Sequence, residues 1–168
     1  MRFSFSDKTS LDLELKVHAF QAVSGFEAFI ASYPSHCPEA YVPLKGGWYR
    51  AVRRVGDILW FLRDNKSRKL ILDGRWSGFT PVIPGELKYP ILIALGPDRK
   101  YALIQFLEPA YVNYAVLCPN EGEADWDYAN DFSIGSDLKS GDEFVSRGRL
   151  TYDRWDKLQG TIEQYLPP

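Results

Sequence analysis

The sequence predicts a mainly β protein with two helices, arranged as an antiparallel meander within a single domain of residues 1–168. The first of two observations is a series of short apolar segments separated by turns rich in Gly, Pro and Asn. The second is the alternation of apolar and polar residues from Leu11 to His18, the period of a half-buried strand. Four sections follow one another: an N-terminal strand, helix and loop (1–45), the meander (46–118), an acidic loop (119–143), and a last strand with a C-terminal helix (144–168).

Composition and charge exclude several classes of protein. The net charge of −2 does not fit a polycationic nucleic-acid binder. The two cysteines, Cys37 and Cys118, are expected to be buried thiols, and a single bridge between them is the alternative. No apolar run has transmembrane length, and the N-terminus lacks the apolar region of a signal peptide. We therefore expect a cytoplasmic protein without a membrane span and without a nucleic-acid partner.

The N-terminal section is predicted to contain a strand, a helix and a loop. Leu11–Val17 is the strand, with one buried and one solvated face. Ser24 and Glu27 have the spacing of a capping box, and Pro34 ends the helix that follows. Residues 35–45 are predicted to be a loop. The apolar stripe of the helix would consist of Phe26, Phe29, Ile30 and Tyr33.

The meander is predicted to contain six strands, and short turns such as those at 56–57 and 108–110 imply that consecutive strands are antiparallel neighbours. Ile58–Leu62 and Ile91–Leu95 are apolar at every position, so each strand has two apolar faces. One face can join the core, whereas the other must meet a helix, a ligand cavity or another subunit of a homodimer. The predicted strands are Trp48–Val55, Ile58–Arg63, Lys69–Asp73, Pro90–Leu95, Tyr101–Leu107 and Tyr111–Cys118.

The C-terminal part is predicted to contain a long loop, one strand and one helix. Residues 119–143 are polar and acidic and show no periodicity, which is typical of a loop. Phe144–Leu150 is predicted to be the last strand, and Thr151 caps a helix that packs outside the sheet. The apolar face of that helix would consist of Tyr152, Trp155, Leu158, Ile162, Tyr165 and Leu166.

Three short motifs, Gly46-x-Trp48, residues 101–118 and Ser146-Arg147, stand in an order that is typical of one protein family. Gly46-x-Trp48 resembles the signature that opens the first barrel strand of that family. Residues 101–118 resemble the hairpin with the Thr-Asp-Tyr signature: Tyr111 matches, and Pro and Ala stand at the two positions before it. Ser146-Arg147 resembles the arginine of the third signature. Over residues 44–166 the chain therefore resembles a lipocalin or a wider calycin-like barrel.

The resemblance implies a closed or partly open β-barrel, shaped like a cup, that binds a small hydrophobic molecule. It also implies that Trp48 and Arg147 meet at the closed end of the barrel. A guanidinium over an indole ring contributes about 0.5–2 kcal/mol, so this pair would have a structural role.

Strand parity gives a second hypothesis about the interior. If Trp48 points inward, Arg50 and Arg54 do so as well, because side chains alternate along a strand. Two arginines inside an apolar barrel need an anionic partner, and a ligand carboxylate or phosphate fits their geometry. The alternative is that both arginines lie on a solvated face and pair with Asp57 or Asp73.

Aromatic residues of the predicted strands are candidates for a ligand pocket. Aromatic side chains in strands also form ordinary core, which is the alternative for each of them. The residues assigned to the pocket are Trp60, Tyr101, Phe106 and Tyr114.

The acidic loop is a candidate surface for a basic protein partner. Between Glu121 and Glu143 there are eight acids and one lysine, the charge that an inhibitor of a basic toxin would carry. A solvated loop, or a loop that pairs with the basic residues of this protein's own meander, explains the same charges. The residues assigned to partner binding are Glu121, Glu123, Asp125, Asp127 and Asp131.

No motif indicates a cofactor or a metal centre, and none is expected. Asp125-x-Asp127 begins like an EF-hand loop, but Ala129, Asn130 and Ser136 occupy positions at which that loop requires an oxygen ligand, Gly and Glu. A looser Ca²⁺ site is the alternative, because clustered carboxylates suit hard cations. The histidines and cysteines lack the spacing of a zinc site.

The leading hypothesis is therefore a β-barrel that binds a small hydrophobic or amphiphilic molecule, with an anionic group if the two arginines face inward. The first alternative is a non-catalytic inhibitor or immunity-type protein that uses the acidic loop. The second is a cofactor-free barrel enzyme of the cyclase or isomerase type, which would need only a Tyr or a carboxylate as its catalytic group.

Overall fold

The computed structural model describes residues 1–52, 57–64, 80–119 and 128–158 of the protein. This part of the chain is mainly β and forms two sheets in a sandwich-like arrangement, with no closed barrel. Its strands are β1 (Arg2–Phe5), β2 (Ser10–His18), β3 (Val23–Ser32), β4 (Glu39–Leu44), β5 (Gly47–Val52), β6 (Asp57–Leu62), β7 (Thr80–Glu86), β8 (Ile91–Leu95), β9 (Tyr101–Leu107), β10 (Val112–Pro119), β11 (Tyr128–Leu138) and β12 (Glu143–Arg154).

Sheet A has seven strands in the order β1-β2-β12-β9-β8-β4-β5, and sheet B has five in the order β3-β11-β10-β6-β7. Every pairing is antiparallel except that of β6 with β7. The long pairing of β2 with β12 joins the beginning of the chain to its end, from His18 opposite Glu143 to Ser10 opposite Thr151.

The inner faces of the two sheets share one apolar core. Leu13 and Leu107 from sheet A and Phe61 and Phe132 from sheet B belong to the same buried cluster. Because these side chains fill the space between the sheets, the cup-shaped interior implied by the lipocalin resemblance is not present at these strands. The hydrophobic-ligand hypothesis depended on that interior.

Two pairs of consecutive strands that were predicted to form hairpins are divided between the two sheets instead. β5 lies in sheet A and β6 in sheet B, and a 3₁₀ turn, Pro109–Tyr111, leads from β9 of sheet A to β10 of sheet B. A short turn therefore does not make its two strands neighbours here, and this is why a closed meander does not form. The β8–β9 hairpin does form as predicted, with Ile93 opposite Ile104.

The predicted N-terminal helix is wrong, because residues 23–32 form β3 at the edge of sheet B. Ala28 and Ile30 alternate toward the core with a period of two, and β3 pairs with β11 from Val23 to Ser32. Phe29, on the outer face, is also apolar and so produced the helical spacing. Backbone pairing with β11 outweighs the local capping pattern.

Other predicted boundaries also change. Residues 35–45 are not all loop, since they include β4, and the predicted acidic loop contains β11, the strand between β3 and β10. β1 was not predicted. The predicted strand Lys69–Asp73 lies outside the described residues.

The last strand is confirmed and is longer than predicted, because β12 continues to Arg154. Tyr152 therefore belongs to the strand, and the helix begins later, at residues 155–158. Trp155 and Leu158 pack on Ile91, Ile93 and Ile104, which cover the outer face of β8 and β9. This contact explains the second apolar face of β8 by the first of the three options that the sequence left open, a helix. Ile162, Tyr165 and Leu166 lie outside the described residues.

Cys37 and Cys118 are both thiols, the first buried and the second half-buried. Within the described ranges, the chain contains no helix with the length and apolar character that a membrane crossing needs.

Candidate functional site

A cleft of about 410 Å³ crosses the outer face of sheet A. We call it the outer cleft. It runs over four neighbouring strands, β1, β2, β12 and β9, and this volume lies in the range of small-molecule sites. Its lining residues are Arg2, Ser4, Asp12, Leu13, Glu14, Phe106, Glu108, Arg147, Gly148 and Arg149.

Strand register arranges the polar side chains of the outer cleft in two parallel rows. In the first row, Glu14 lies opposite Arg2 on one side and Arg147 on the other. The second row consists of Ser4, Asp12, Arg149 and Phe106, each opposite the next across a strand boundary. Side chains at every second position share one face of a strand, so both rows point away from the core.

Ion pairs within each row fix the side chains of the outer cleft. Arg149 binds Asp12 through two nitrogens, with Nε–Oδ1 and Nη2–Oδ2 distances of 2.6 and 3.1 Å. These hydrogen bonds hold the pKa of Asp12 below its ordinary value. Glu14 accepts a hydrogen bond of 3.1 Å from Nε of Arg147 and has Nη2 of Arg2 at 3.5 Å. A bidentate pair is geometrically specific, so Asp12 and Arg149 present a defined pattern of donors and acceptors.

Below the outer cleft, Gly148 lies where β12 packs closely on its neighbouring strands. A Cβ atom at this position would lie 2.4 Å from Cδ2 of Leu107 and 2.6 Å from the carbonyl oxygen of Phe106. Glycine therefore allows β12 to pack closely on its neighbours between the two arginine positions.

At the β9 end, the outer cleft is bounded by Phe106 and Glu108. Phe106 is half-buried on the outer face. The backbone N–H of Glu108 donates to the carbonyl oxygen of Arg147 at 2.8 Å, which extends the pairing of β9 with β12 beyond the end of the strand. Of the residues assigned to a ligand pocket from sequence, the structure places Phe106 here, and it also places Arg147 here instead of at a barrel end.

Arg50 does not point into an apolar interior, so the predicted parity of β5 is wrong. Tyr49 and Ala51 face the core, and Trp48 and Arg50 are exposed. Nε of Arg50 donates to Oε2 of Glu39 at 2.9 Å. Arg54 lies outside the described residues. The alternative of a solvated face is therefore correct for Arg50, with Glu39 as the partner instead of Asp57 or Asp73.

Glu39 is the common acceptor of an ion-pair network next to the outer face of β8. Arg99 donates to both of its carboxylate oxygens, at 2.9 and 2.8 Å, and the hydroxyl of Tyr41 donates to Oε2 at 3.0 Å. Hydrogen bonds from Arg50 and then Arg99 lower the pKa of Glu39 to about 2. The network is internally satisfied and is best explained as structural.

Trp48 and Arg147 do not meet, contrary to what the lipocalin resemblance implies. Trp48 lies on β5, an edge strand, and β4, β8 and β9 separate that strand from β12. Arg147 pairs with Glu14 instead. The physical reason is that an open sheet has no closed end where its first and last strands meet.

Trp60 and Tyr114 do come together, on the outer face of sheet B, with ring centroids 5.1 Å apart. Three polar residues of the neighbouring strands share this face. We call the group of Glu27, Trp60, Tyr114, Asp131 and Ser133 the Asp131 cluster. Oε1 of Glu27 accepts hydrogen bonds from the hydroxyl of Tyr114, at 2.5 Å, and from the hydroxyl of Ser133.

Asp131 is the most perturbed carboxyl group of this cluster. Its Oδ1 is fully buried and has no hydrogen-bond partner in the part of the chain that the structure describes. Burial raises the pKa of Asp131 from 3.8 to about 6. Asp131 was assigned to partner binding by the acidic loop, but it lies on β11, a strand inside sheet B. The other four acids of that assignment, at positions 121–127, lie outside the described residues, so partner binding by the loop stays a prediction.

Tyr101, the remaining residue assigned to the pocket, is exposed at the far end of β9. Its ring stacks on that of Tyr152, with centroids 5.8 Å apart. The structure therefore divides the four aromatic residues assigned to the pocket among three places. Of these four, it brings together Trp60 and Tyr114.

Sequence reasoning missed Asp12, Glu14 and Arg149 as site residues. The alternation of β2 indicated a polar face, and Arg147 and Arg149 show the same alternation in β12. No local pattern indicates that these two strands are neighbours. Across the described ranges, no group of three His, Cys, Asp or Glu side chains is arranged to hold a metal ion.

Neither a protein-family model nor a curated protein sequence matches this chain. Among solved structures, the chain is similar to a protein from Escherichia coli K12 described as a "putative aldose 1-epimerase". The TM-score is 0.52 at 12% sequence identity, and the match covers 90% of this chain and 58% of the other. The chain therefore spans less than two thirds of that protein's length, and the similarity concerns the fold.

Proposed function

We propose that this protein binds a carbohydrate, or a similar polyhydroxylated small molecule, in the outer cleft. The observation that carries the proposal is the pair of rows in which carboxylates and guanidinium groups alternate beside one aromatic ring, Phe106. Sugar rings offer adjacent hydroxyl groups, which donate and accept at once, and apolar C–H faces, which pack on aromatic rings. The outer cleft offers a partner for each of these features.

The ion pairs inside the outer cleft favour a ligand with many hydroxyl groups over a strongly charged ligand. Asp12 and Arg149 neutralise each other, and Glu14 is neutralised by its arginine partners. A carboxylate has about four acceptor sites and a guanidinium has five N–H donors, which is more than the ion pairs within each row use. Hydroxyl groups can therefore bind without breaking an ion pair, and the fixed side chains lose little conformational entropy on binding.

Two further facts support a sugar over a hydrophobic ligand. The space between the sheets is filled by the shared core cluster, and the outer cleft is lined mainly by polar side chains. The Escherichia coli protein with the similar fold carries the description of an enzyme that acts on aldoses. At 12% identity this fold similarity adds support for a sugar ligand without identifying catalytic residues.

The proposal is tested by ligand-observed NMR with a panel of monosaccharides, followed by titration of those that bind. Replacing Arg149 by Gln removes a charged hydrogen-bond donor, so it should weaken binding about tenfold or more. Arg154→Gln is the matched control, because Arg154 lies on the same strand and pairs with Asp156, away from the outer cleft. The Arg154→Gln variant should bind the sugar with the same affinity as the wild type.

Phe106→Leu gives a second, uncharged test, because it keeps an apolar side chain but removes the aromatic face. We expect a loss of affinity of several fold, since stacking on an aromatic ring contributes about 0.5–1.5 kcal/mol beyond burial. If no monosaccharide binds, or if Arg149→Gln and Phe106→Leu both bind like the wild type, the proposal is wrong.

A further inference from the structure

Glu108 differs from the other two carboxylates of the outer cleft in its electrostatic surroundings. Asp12 is paired with Arg149, and Glu14 is contacted by Arg2, Lys16 and Arg147 at 3.1–3.9 Å. For Glu108, no cationic nitrogen lies within 4.0 Å among the residues that the structure describes. The outer cleft therefore has several cationic groups around Glu14, and at its β9 end it has a carboxylate that makes no ion pair with any described residue.

The backbone of Glu108 is held in place, although its side chain makes no ion pair within the described part of the chain. Its backbone N–H is bound to the carbonyl oxygen of Arg147, next to the polar row that Glu14 and Arg147 form. Phe106, two residues earlier in the chain, lines the same end of the outer cleft. A cation at this end would meet a carboxylate, and an aromatic ring face nearby also attracts cations.

We infer that the outer cleft selects a sugar that carries a protonated amino group, with the ammonium group bound by Glu108 and the hydroxyl groups bound along the two rows. This inference rests on the proposed function, since it names the subclass of sugar for the same site. A neutral sugar could offer Glu108 only a hydroxyl donor and no cationic partner, so it would compete less well. A divalent metal ion is not favoured, because the other carboxylates of the outer cleft are occupied by arginines.

The test compares three sugars that share one ring: D-glucosamine, N-acetyl-D-glucosamine and D-glucose. Dissociation constants are measured by NMR titration at pH 6 and low salt, where the amine of glucosamine is protonated and the acetylated amine is neutral. We expect glucosamine to bind about tenfold more tightly than either neutral sugar, the gain typical of one charge-assisted hydrogen bond. The preference should shrink as salt is added, since the contact is solvent-accessible.

Glu108→Gln should reduce the preference for glucosamine over glucose to nearly one, because glutamine keeps the shape but not the charge. Glu143→Gln is the control, since Glu143 is an exposed carboxylate at the other end of β12, paired with His18. It should leave the preference as in the wild type. Ethylamine tests whether the cation alone is sufficient, and it should bind at least tenfold more weakly than glucosamine.

The possible results distinguish failure of the amino-sugar inference from failure of the proposed sugar binding. Binding of all three sugars without a preference for glucosamine overturns the inference and leaves the proposed function standing. A preference that persists in Glu108→Gln, or ethylamine binding as tight as that of glucosamine, also overturns it. If none of the three sugars binds, and no other monosaccharide does, the proposed function fails and the inference fails with it.

Discussion

Replacing Asp131 by Asn should stabilise the protein at neutral and alkaline pH. Asp131 lies on the outer face of β11, with Oδ1 buried, and its pKa in the folded protein is about 6 against an ordinary value of 3.8. The difference between these pKa values corresponds to about 3 kcal/mol of destabilisation once the carboxyl group is ionised. Asparagine is nearly the same size and carries no charge, so the variant avoids this desolvation cost.

The sign of the pH dependence follows from the order of the two pKa values. Between pH 4 and pH 6 the unfolded chain has already lost the proton of Asp131, whereas the folded protein still holds it. The wild type therefore loses stability as pH rises through this interval, and the loss is complete above about pH 7. Asp131→Asn lacks this contribution, so the difference between the two proteins should grow from pH 4 to pH 7 and then stay constant.

The assay is urea or thermal unfolding of both proteins from pH 4 to pH 8. A gain of about 3 kcal/mol corresponds to a rise in Tm of about 6–12 °C for a protein of this size. Contributions from ionisable groups that the two proteins share cancel in the difference. Asp98→Asn is the control: a backbone N–H of Lys100 holds the pKa of Asp98 below its ordinary value, so this variant should not be stabilised. If the difference in the free energy of unfolding between the wild type and Asp131→Asn does not change across this pH range, the reasoning is refuted.

Three further variants test the packing and the ion pairs. Gly135→Ala should destabilise the protein by about 2 kcal/mol or more in urea unfolding, because the new Cβ would lie 1.9 Å from a backbone oxygen of β3. Gly46→Ala is the control, because a Cβ at that position meets no atom within 4 Å. Glu39→Gln should lower the Tm modestly, by the equivalent of about 1 kcal/mol, and less at 1 M salt, since its two arginine partners are exposed; an equal loss at both salt concentrations would contradict this. Trp155→Ala should cost about 2 kcal/mol by uncovering Ile93 and its neighbours on the outer face, and unchanged stability would show that this contact contributes nothing.

Strands with one solvated face could be predicted from the sequence, and strands with two similar faces could not. β2 was recognised because Asp12 and Glu14 alternate with leucines, so burial leaves a period of two in the sequence. β3 was assigned to a helix because apolar residues occupy both faces, and the mixture matches helical spacing. β11 was missed for the opposite reason: it carries polar residues such as Asn130 and Asp131 on both faces.

The candidate site, too, could be predicted from the sequence only in part. Arg147 attracted attention from sequence, but as the partner of a distant tryptophan, whereas its partner is Glu14 across a pair of strands separated by more than a hundred residues. Phe106 was predicted to line a pocket inside a barrel, whereas it lies on the outer face of sheet A and lines the outer cleft. The charged residues of β2 and β12 were visible as polar faces, but the outer cleft exists only because these strands are neighbours.

The sequence by itself determined which residues prefer water and which prefer an apolar environment, and this was enough to predict a β-rich fold and a helix packed outside the sheet. Tertiary structure alone decided which strands pair and to which sheet each belongs. Backbone hydrogen bonds between strands are the same for almost any pair, so local sequence does not specify the partner. The partner is selected by the burial of whole faces, and that depends on all strands at once. For this reason the sandwich, the outer cleft and the buried environment of Asp131 could be recognised only in three dimensions.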